Sequence, residues 1–354
     1  MATLEIKPYR CRLQTPYRWS KGIQEFRAGL ILRADIDGAI GWGEAALPPH
    51  VMFPESAMAE NGRTLLAGLD PGDPDFLDEV GLRECPPRLR CGISMAVLTA
   101  RARAAGQSLV RYVVGDKRPL PQWVPVNDLI GDASPEACVQ RALAALERGQ
   151  DTVKVKCTPE RELDLARIAA IRASCPTLKI RIDPNESWPL EWAAEHLNAM
   201  ARFDIEYVEE PLPRGTSLDD YARLRRACTV PIALDDSVRS TIHVEHIADR
   251  RAADVLILKA QRLGGPDRLL EVVQRAEANG LACTVTASLE SSVGLYLGIH
   301  CAAMTSLPIA AAGIGTARYF AENVDEPPAI ERGRMRVPQE PGLGFDPTDW
   351  WNRH

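Results

Sequence analysis

The chain has 354 residues, 45% of them hydrophobic and 25% charged, with 27 prolines and 25 glycines, which excludes disordered, collagen-like and coiled-coil chains. Its formal charge of −6 argues against wrapping nucleic acid or lying on anionic lipid, and no apolar run approaches the roughly 20 residues that cross a bilayer. Nine scattered cysteines with no Cys-x-x-Cys pair read as reduced thiols of a cytoplasmic protein, and Met1–Lys7 lacks the order of a signal peptide.

Residues 1–50 read as a β-hairpin or meander that turns at Asp37-Gly38. Residues 55–115 read as helical, with breaks near Pro71-Gly72 and Pro86-Pro87, and Gly92–Ala105 forms a helix with Gly106 at its C-terminal end. The Pro-punctuated stretch Arg118–Pro121 marks a domain boundary. Short apolar strands then alternate with helices. The strands are Val124–Leu129, Val153–Lys156, Lys179–Asp183, Glu206–Glu210, Pro231–Asp235, Val255–Lys259, Ala282–Ala287 and Pro308–Gly313. Ser134-Pro135 and Thr158-Pro159 read as helix caps. Tyr17–Arg27, with Trp19, Lys21 and Phe26, is a candidate lid.

The period decides the architecture. Lys156, Asp183, Glu209, Asp235 and Lys259 close successive strands at separations of 27, 26, 26 and 24 residues. A (β/α) barrel gathers such strand ends around one mouth, whereas an open sheet spreads them along an edge. Taken singly, each acid reads as a helix N-cap. Three in register need a cation to stay ionised together, and an all-carboxylate donor set suits Mg²⁺. Lys154 and Lys156 share one face of their strand, the barrel interior. Mutual repulsion lowers their pKa values, so that one can serve as a neutral general base. Lys259 faces them across the mouth. The pocket's net charge of about +1, with the metal counted, favours an anionic substrate and proton removal α to its carboxylate.

These residues resemble the enolase superfamily, muconate-lactonizing subgroup, across essentially the whole chain. The resemblance rests on Gly41-Trp42-Gly43-Glu44-Ala45, Val153-Lys154-Val155-Lys156 and Arg181-Ile182-Asp183-Pro184-Asn185, together with Val208-Glu209-Glu210-Pro211, Leu234-Asp235-Asp236-Ser237, and Leu258-Lys259 with Gly264-Gly265. It implies a (β/α)7β modified TIM barrel over residues 119–315. An α+β capping domain would span 1–118, with 316–354 packing back on it. It also implies Lys156 as base, Lys154 as its electrostatic neighbour, and Lys259 as second acid/base or cation. Asp183, Glu209 and Asp235 would bind Mg²⁺, with Mn²⁺ able to substitute, and Asn185 would help orient substrate. Asp236 departs from the usual glutamate.

Within the subgroup, Ala287–Leu295, including Ser288 and Glu290, is most similar to o-succinylbenzoate synthases, as is Gly313-Ile314-Gly315-Thr316. The implied activity is a Mg²⁺-dependent syn dehydration of a cyclic dicarboxylate in menaquinone synthesis. Glu290 would lie near the substrate carboxylate, and Gly313 and Gly315 would offer backbone N–H groups to one. N-acylamino acid racemase, dipeptide epimerase and muconate cycloisomerase are the alternatives inside the subgroup; a non-catalytic scaffold barrel is the alternative outside it. The expected partner is a small anionic carboxylate, without nucleic acid or membrane, and homo-oligomerisation is left open.

Overall fold

The computed structural model describes residues 2–19, 22–48, 55–116, 118–131, 134–158 and 160–354. Three strands, β1 (Thr3–Trp19), β2 (Gly22–Ile36) and β3 (Ala39–Ala46), form an antiparallel meander. The turn between β2 and β3 is tight because Asp37 and Gly38 both take positive φ, 51° and 86°. Helices α1 (Glu55–Leu66), α2 (Phe76–Leu82), α3 (Pro87–Ala104) and α4 (Leu109–Val114) follow. The Pro86-Pro87 break is thus the start of α3 rather than a gap before a helix at Gly92. The glycines of Gly41-Trp42-Gly43 let β3 lie directly on α3: a Cβ on Gly41 would stand 2.1 Å from the Ala96 carbonyl oxygen, and one on Gly43 would stand 2.0 Å from that of Gly92. Lys21 of the lid candidate is outside the described residues, and the Trp19 side chain is too. Phe26 is exposed, with the Arg10 guanidinium 5.1 Å from its ring centroid.

The rest is a parallel βα array. Its elements are β4 (Trp123–Pro125), β5 (Asp128–Ile130), α5 (Pro135–Glu147), β6 (Thr152–Lys156), α6 (Arg161–Ser174), β7 (Lys179–Asp183), α7 (Leu190–Met200), β8 (Ile205–Glu209), α8 (Leu218–Ala227), β9 (Ile232–Leu234), α9 (Thr241–Arg250), β10 (Val255–Leu258), α10 (Ala260–Leu263), α11 (Pro266–Ala278), β11 (Ala282–Val285) and α12 (Ser292–Ala302). Strands β5 to β11 hydrogen-bond in sequence order, all parallel. The chain folds as a (β/α)7β modified TIM barrel with an α+β cap.

Three boundaries differ from the sequence reading. Val124–Leu129 is two strands, broken at Val126-Asn127, because β4, through Pro125, pairs with Arg334–Arg336 while β5 pairs with β6. Thr158 caps no helix; its N–H and hydroxyl bond the buried Asp164 carboxylate, and α6 begins at Arg161. The eighth strand shrinks to Ala312 and Gly313. Asn127 N–H donates to the Ala312 carbonyl (3.0 Å), Ala312 N–H to that of Pro125 (2.7 Å), and Gly313 N–H to that of Val285 (2.9 Å). Those bonds close the cylinder between β5 and β11. Arg181 reinforces the closure from β7, reaching across the interior to the Ala311 carbonyl (2.5 Å) and Asn127 Oδ1 (3.3 Å).

The C-terminal segment ties cap and barrel together. Leu13 bridges Phe320, β12 (Arg334–Arg336) pairs antiparallel with β4, and Asp346 accepts from Trp42 Nε1 (3.1 Å). Trp351 of α13 (Thr348–Arg353) packs edge-on against Trp42. Among the described residues no helix is long and apolar enough to cross a membrane.

Candidate active site

Alternation along the strands sends Lys154 and Lys156, Arg181 and Asp183, Tyr207 and Glu209, and Ala233 and Asp235 inward. Tyr207, Ala233 and Ile257 pack as a small apolar floor. Above it opens a cavity of about 300 Å³, lined by Lys154, Lys156, Asp183, Asn185, Glu209, Asp235, Lys259, Ser288, Gly313 and Gly315. Strands β6 and β10 have three strands between them, so Lys156 and Lys259 stand on opposite sides of the mouth.

Nearly every charge here has a partner. Lys154 Nζ lies 2.7 Å from Asp183 Oδ2 and 2.6 Å from Glu209 Oε2, and Lys156 Nζ is 2.5 Å from Asp183 Oδ2. Lys259 Nζ is 2.5 Å from Asp235 Oδ2, whose Oδ1 meets Arg262 at 2.6 Å. Arg262 also holds Asp236 (2.6 Å), Arg214 spans Glu186 and Asp236, and Arg318 pairs with Asp128. Lysines are thus interleaved with the carboxylates. Among the described residues no three carboxylate, histidine or cysteine side chains stand as a ready-made cage.

At Lys154 the shift runs opposite to expectation. Burial disfavours the Lys154 ammonium, but Asp183 and Glu209 outweigh it and push its pKa up. Asp183 is held low by Lys154 and Lys156 against its desolvation, and Asp235 by Arg262 and Lys259. Glu209 goes the other way, raised by burial with Asp183 and Asp235 adding, despite Lys154. Glu209 thus feels both Asp183 and Asp235, and the donors these three side chains offer are all oxygens, the chemistry a hard divalent cation takes, although the lysines now stand between them.

Two expected substrate contacts are redirected. Glu290 is buried away from the cavity and accepts the Ser288 N–H at 2.6 Å, so it shapes the wall rather than lining it. The Gly313 N–H is committed to barrel closure, leaving Gly315 as the glycine of that pair with no hydrogen bond from its N–H among the described residues. Asn185 lines the cavity in a left-handed conformation (φ 52°), its N–H on Asp183 Oδ1 (2.9 Å).

Sequence reading missed Arg262, which shares one short helix with the residue after Lys259, and Glu210, whose carboxylate accepts the Asp235 N–H (2.5 Å) and the Ser237 hydroxyl (2.6 Å). It singled out Glu44 without a role. That carboxylate accepts from Tyr9 Oη (2.5 Å), Ser291 N–H (3.0 Å), Ser291 Oγ (2.6 Å) and Gly294 N–H (2.7 Å), locking the cap onto the start of α12. Arg27 adds bonds to the carbonyls of Ser288 and Leu289, both 2.9 Å, steadying a loop in which Leu289 has φ 61°.

A family model described as "Enolase C-terminal domain-like" matches residues 137–350. The chain belongs to the enolase superfamily. It is 35% identical to an o-succinylbenzoate synthase of Thermobifida fusca over 222 residues, 61% of this chain and 67% of that protein. It is 28% identical to an N-succinylamino acid racemase of Thermus thermophilus over 96% of this chain and 93% of that protein. Among solved structures, this superfamily member's fold matches a dipeptide epimerase from Cytophaga hutchinsonii complexed with Mg and the dipeptide D-Ala-L-Val. The TM-score is 0.84 at 24% identity, over 96% of this chain and 94% of that one.

Proposed function

We propose that this enolase-superfamily chain is a divalent-cation-dependent lyase that converts a hydroxylated cyclohexadiene dicarboxylate to o-succinylbenzoate, a step of menaquinone synthesis. Residues 119–315 would form the catalytic barrel and 1–118 with 316–354 its cap. The observation that carries the reading is the facing pair, Lys156 and Lys259, in one cavity with three strand-end carboxylates. The 35% identity to an o-succinylbenzoate synthase supports it, as does a closing strand whose Gly313-Ile314-Gly315 brings no acid for a substrate ammonium.

Asp183, Glu209 and Asp235 would hold Mg²⁺, or Mn²⁺ in its place. Bound there, the ion supplies positive charge against the substrate carboxylate and the electron density that builds on it. Lys156 is paired with Asp183 in this structure; once its proton has left to solvent, the neutral amine takes the α proton. The ammonium so formed returns that proton to the hydroxyl leaving from the same face. One C–H and one C–O bond break, water departs, and the ring becomes aromatic. Lys154 stays charged throughout, and Lys259 remains an ammonium over the opposite face.

Racemisation of N-succinylamino acids is the second reading. It is favoured by the same two lysines on opposite faces and by relatives of that activity matching over nearly the full chain. An ultraviolet assay of the dehydration, run beside α-deuterium exchange into N-succinylamino acids in D₂O, separates the two. Lys156→Ala should lower dehydration about 1,000-fold with an unchanged melting temperature. No dehydration by metal-loaded wild type would overturn the lyase reading.

A further inference from the structure

Six of the seven cationic side chains lining the catalytic cavity have a carboxylate partner: Lys154, Lys156, Arg214, Lys259, Arg262 and Arg318. Arg88 is the seventh. It sits in the first turn of α3, on the cap side of the cavity, and is only partly exposed. Its NH1 donates to the Ala46 carbonyl (2.8 Å), which fixes the guanidinium without neutralising it. Among the described residues no carboxylate lies within ion-pair distance. The nearby Glu290 is turned to the Ser288 N–H instead.

An arginine cannot escape this position by deprotonating. Burial lowers the Arg88 pKa, and Arg27 and Arg262 lower it further against Glu290, yet a guanidinium starts far above neutrality. A part-buried charge with no carboxylate in hydrogen-bonding contact is costly, whereas a carboxylate docked on it makes charge-assisted hydrogen bonds in a fixed fork geometry. The remaining N–H donors of Arg88 have no protein acceptor among the described residues.

We propose that Arg88 is the receptor for a second, distal carboxylate of the substrate, so that this cavity selects dianions with a succinyl-type arm over monoanions. The inference rests on the cavity being the active site, but not on which reaction occurs there. Both o-succinylbenzoate and N-succinylamino acids carry such an arm. The cap would then hold the far end of the substrate while the barrel handles the reacting carbon.

Two readouts keep this proposal separate from the lyase reading. Calorimetry of o-succinylbenzoate binding to the metal-loaded enzyme needs no turnover. Arg88→Gln should weaken it about 30-fold, and Arg88→Lys less, as expected for loss of a charged hydrogen-bonding partner. α-Deuterium exchange should favour N-succinyl- over N-acetylamino acids in wild type, and Arg88→Gln should remove that preference through KM while sparing kcat. Equal binding and equal preference in wild type and Arg88→Gln would overturn the subsite even if dehydration is found. Arg88-dependent binding without dehydration would uphold the subsite and remove the lyase reading. If Arg88→Gln does not fold, Arg88→Lys and the wild-type preference still decide: an unselective wild type refutes the proposal.

Discussion

Asp183 and Glu209 share Lys154 yet are pushed in opposite directions: at Asp183 the hydrogen-bonded Lys154 and Lys156 outweigh burial, whereas at Glu209 burial, with Asp183 and Asp235 adding, outweighs Lys154 and Lys259. A divalent cation removes that repulsion where it is largest. Adding Mg²⁺ to metal-free protein should therefore raise the melting temperature, by about 2.7 kcal/mol of stability at 100 times Kd. Glu209→Gln should blunt the rise, and a chelator should abolish turnover reversibly. A melting curve indifferent to Mg²⁺ in wild type would count against the metal site. The residue types were legible in advance, but the sign of the Lys154 shift was not. Lysines adjacent in sequence repel on paper, while the carboxylates that win come from β7 and β8.

At the level of elements, α7 carries a buried imidazole. His196 packs edge-on against Trp188 (4.5 Å between centroids) and Trp192, and neither ring nitrogen has a partner among the described residues. Burial, with Arg161 adding, depresses its pKa to about 4, and burial does the same to His300. The folded state keeps both neutral while the unfolded chain protonates near 6.5. Their stabilising contribution is thus complete above pH 6.5 and is lost as pH falls toward 4. His196→Phe keeps the aromatic packing and removes two unsatisfied atoms, so it should gain about 1 kcal/mol at pH 7.5 and flatten the acid-side loss that His300 still causes. Thermal melts at pH 7.5 and 5 test this; equal losses in both proteins would refute it. Helix starts show what local sequence controls. Ser134 caps α5 as its Ser-Pro pattern predicts, accepting from Ala137 N–H at 3.4 Å, whereas Thr158 is captured by Asp164 six residues on.

Across the whole molecule, Glu44 is where cap and barrel become one structure. Its two oxygens serve four donors from β1 and from the start of α12, and Gln261 pairs with the backbone of β3 through Glu44 O (2.8 Å) and Ala46 N–H (3.0 Å). Glu44→Ala strands buried donors and should cost about 4 kcal/mol in urea unfolding, with Tyr9→Phe losing about 1 kcal/mol. If Glu44→Ala unfolds like wild type, the cap is not anchored there.

By itself the sequence determined the repeating strand–helix order and the charged residue at five successive strand ends, because hydrophobic period and spacing are local properties of the chain. Tertiary structure decided the rest. A two-residue strand closes the cylinder since Arg181 and Asn127 reach it from elsewhere; Glu290 turns from the cavity to a backbone amide; and Arg88 is left, among the described residues, without a carboxylate at ion-pair distance. Each depends on which distant groups arrive within a few ångströms, and that is set only when the chain closes on itself.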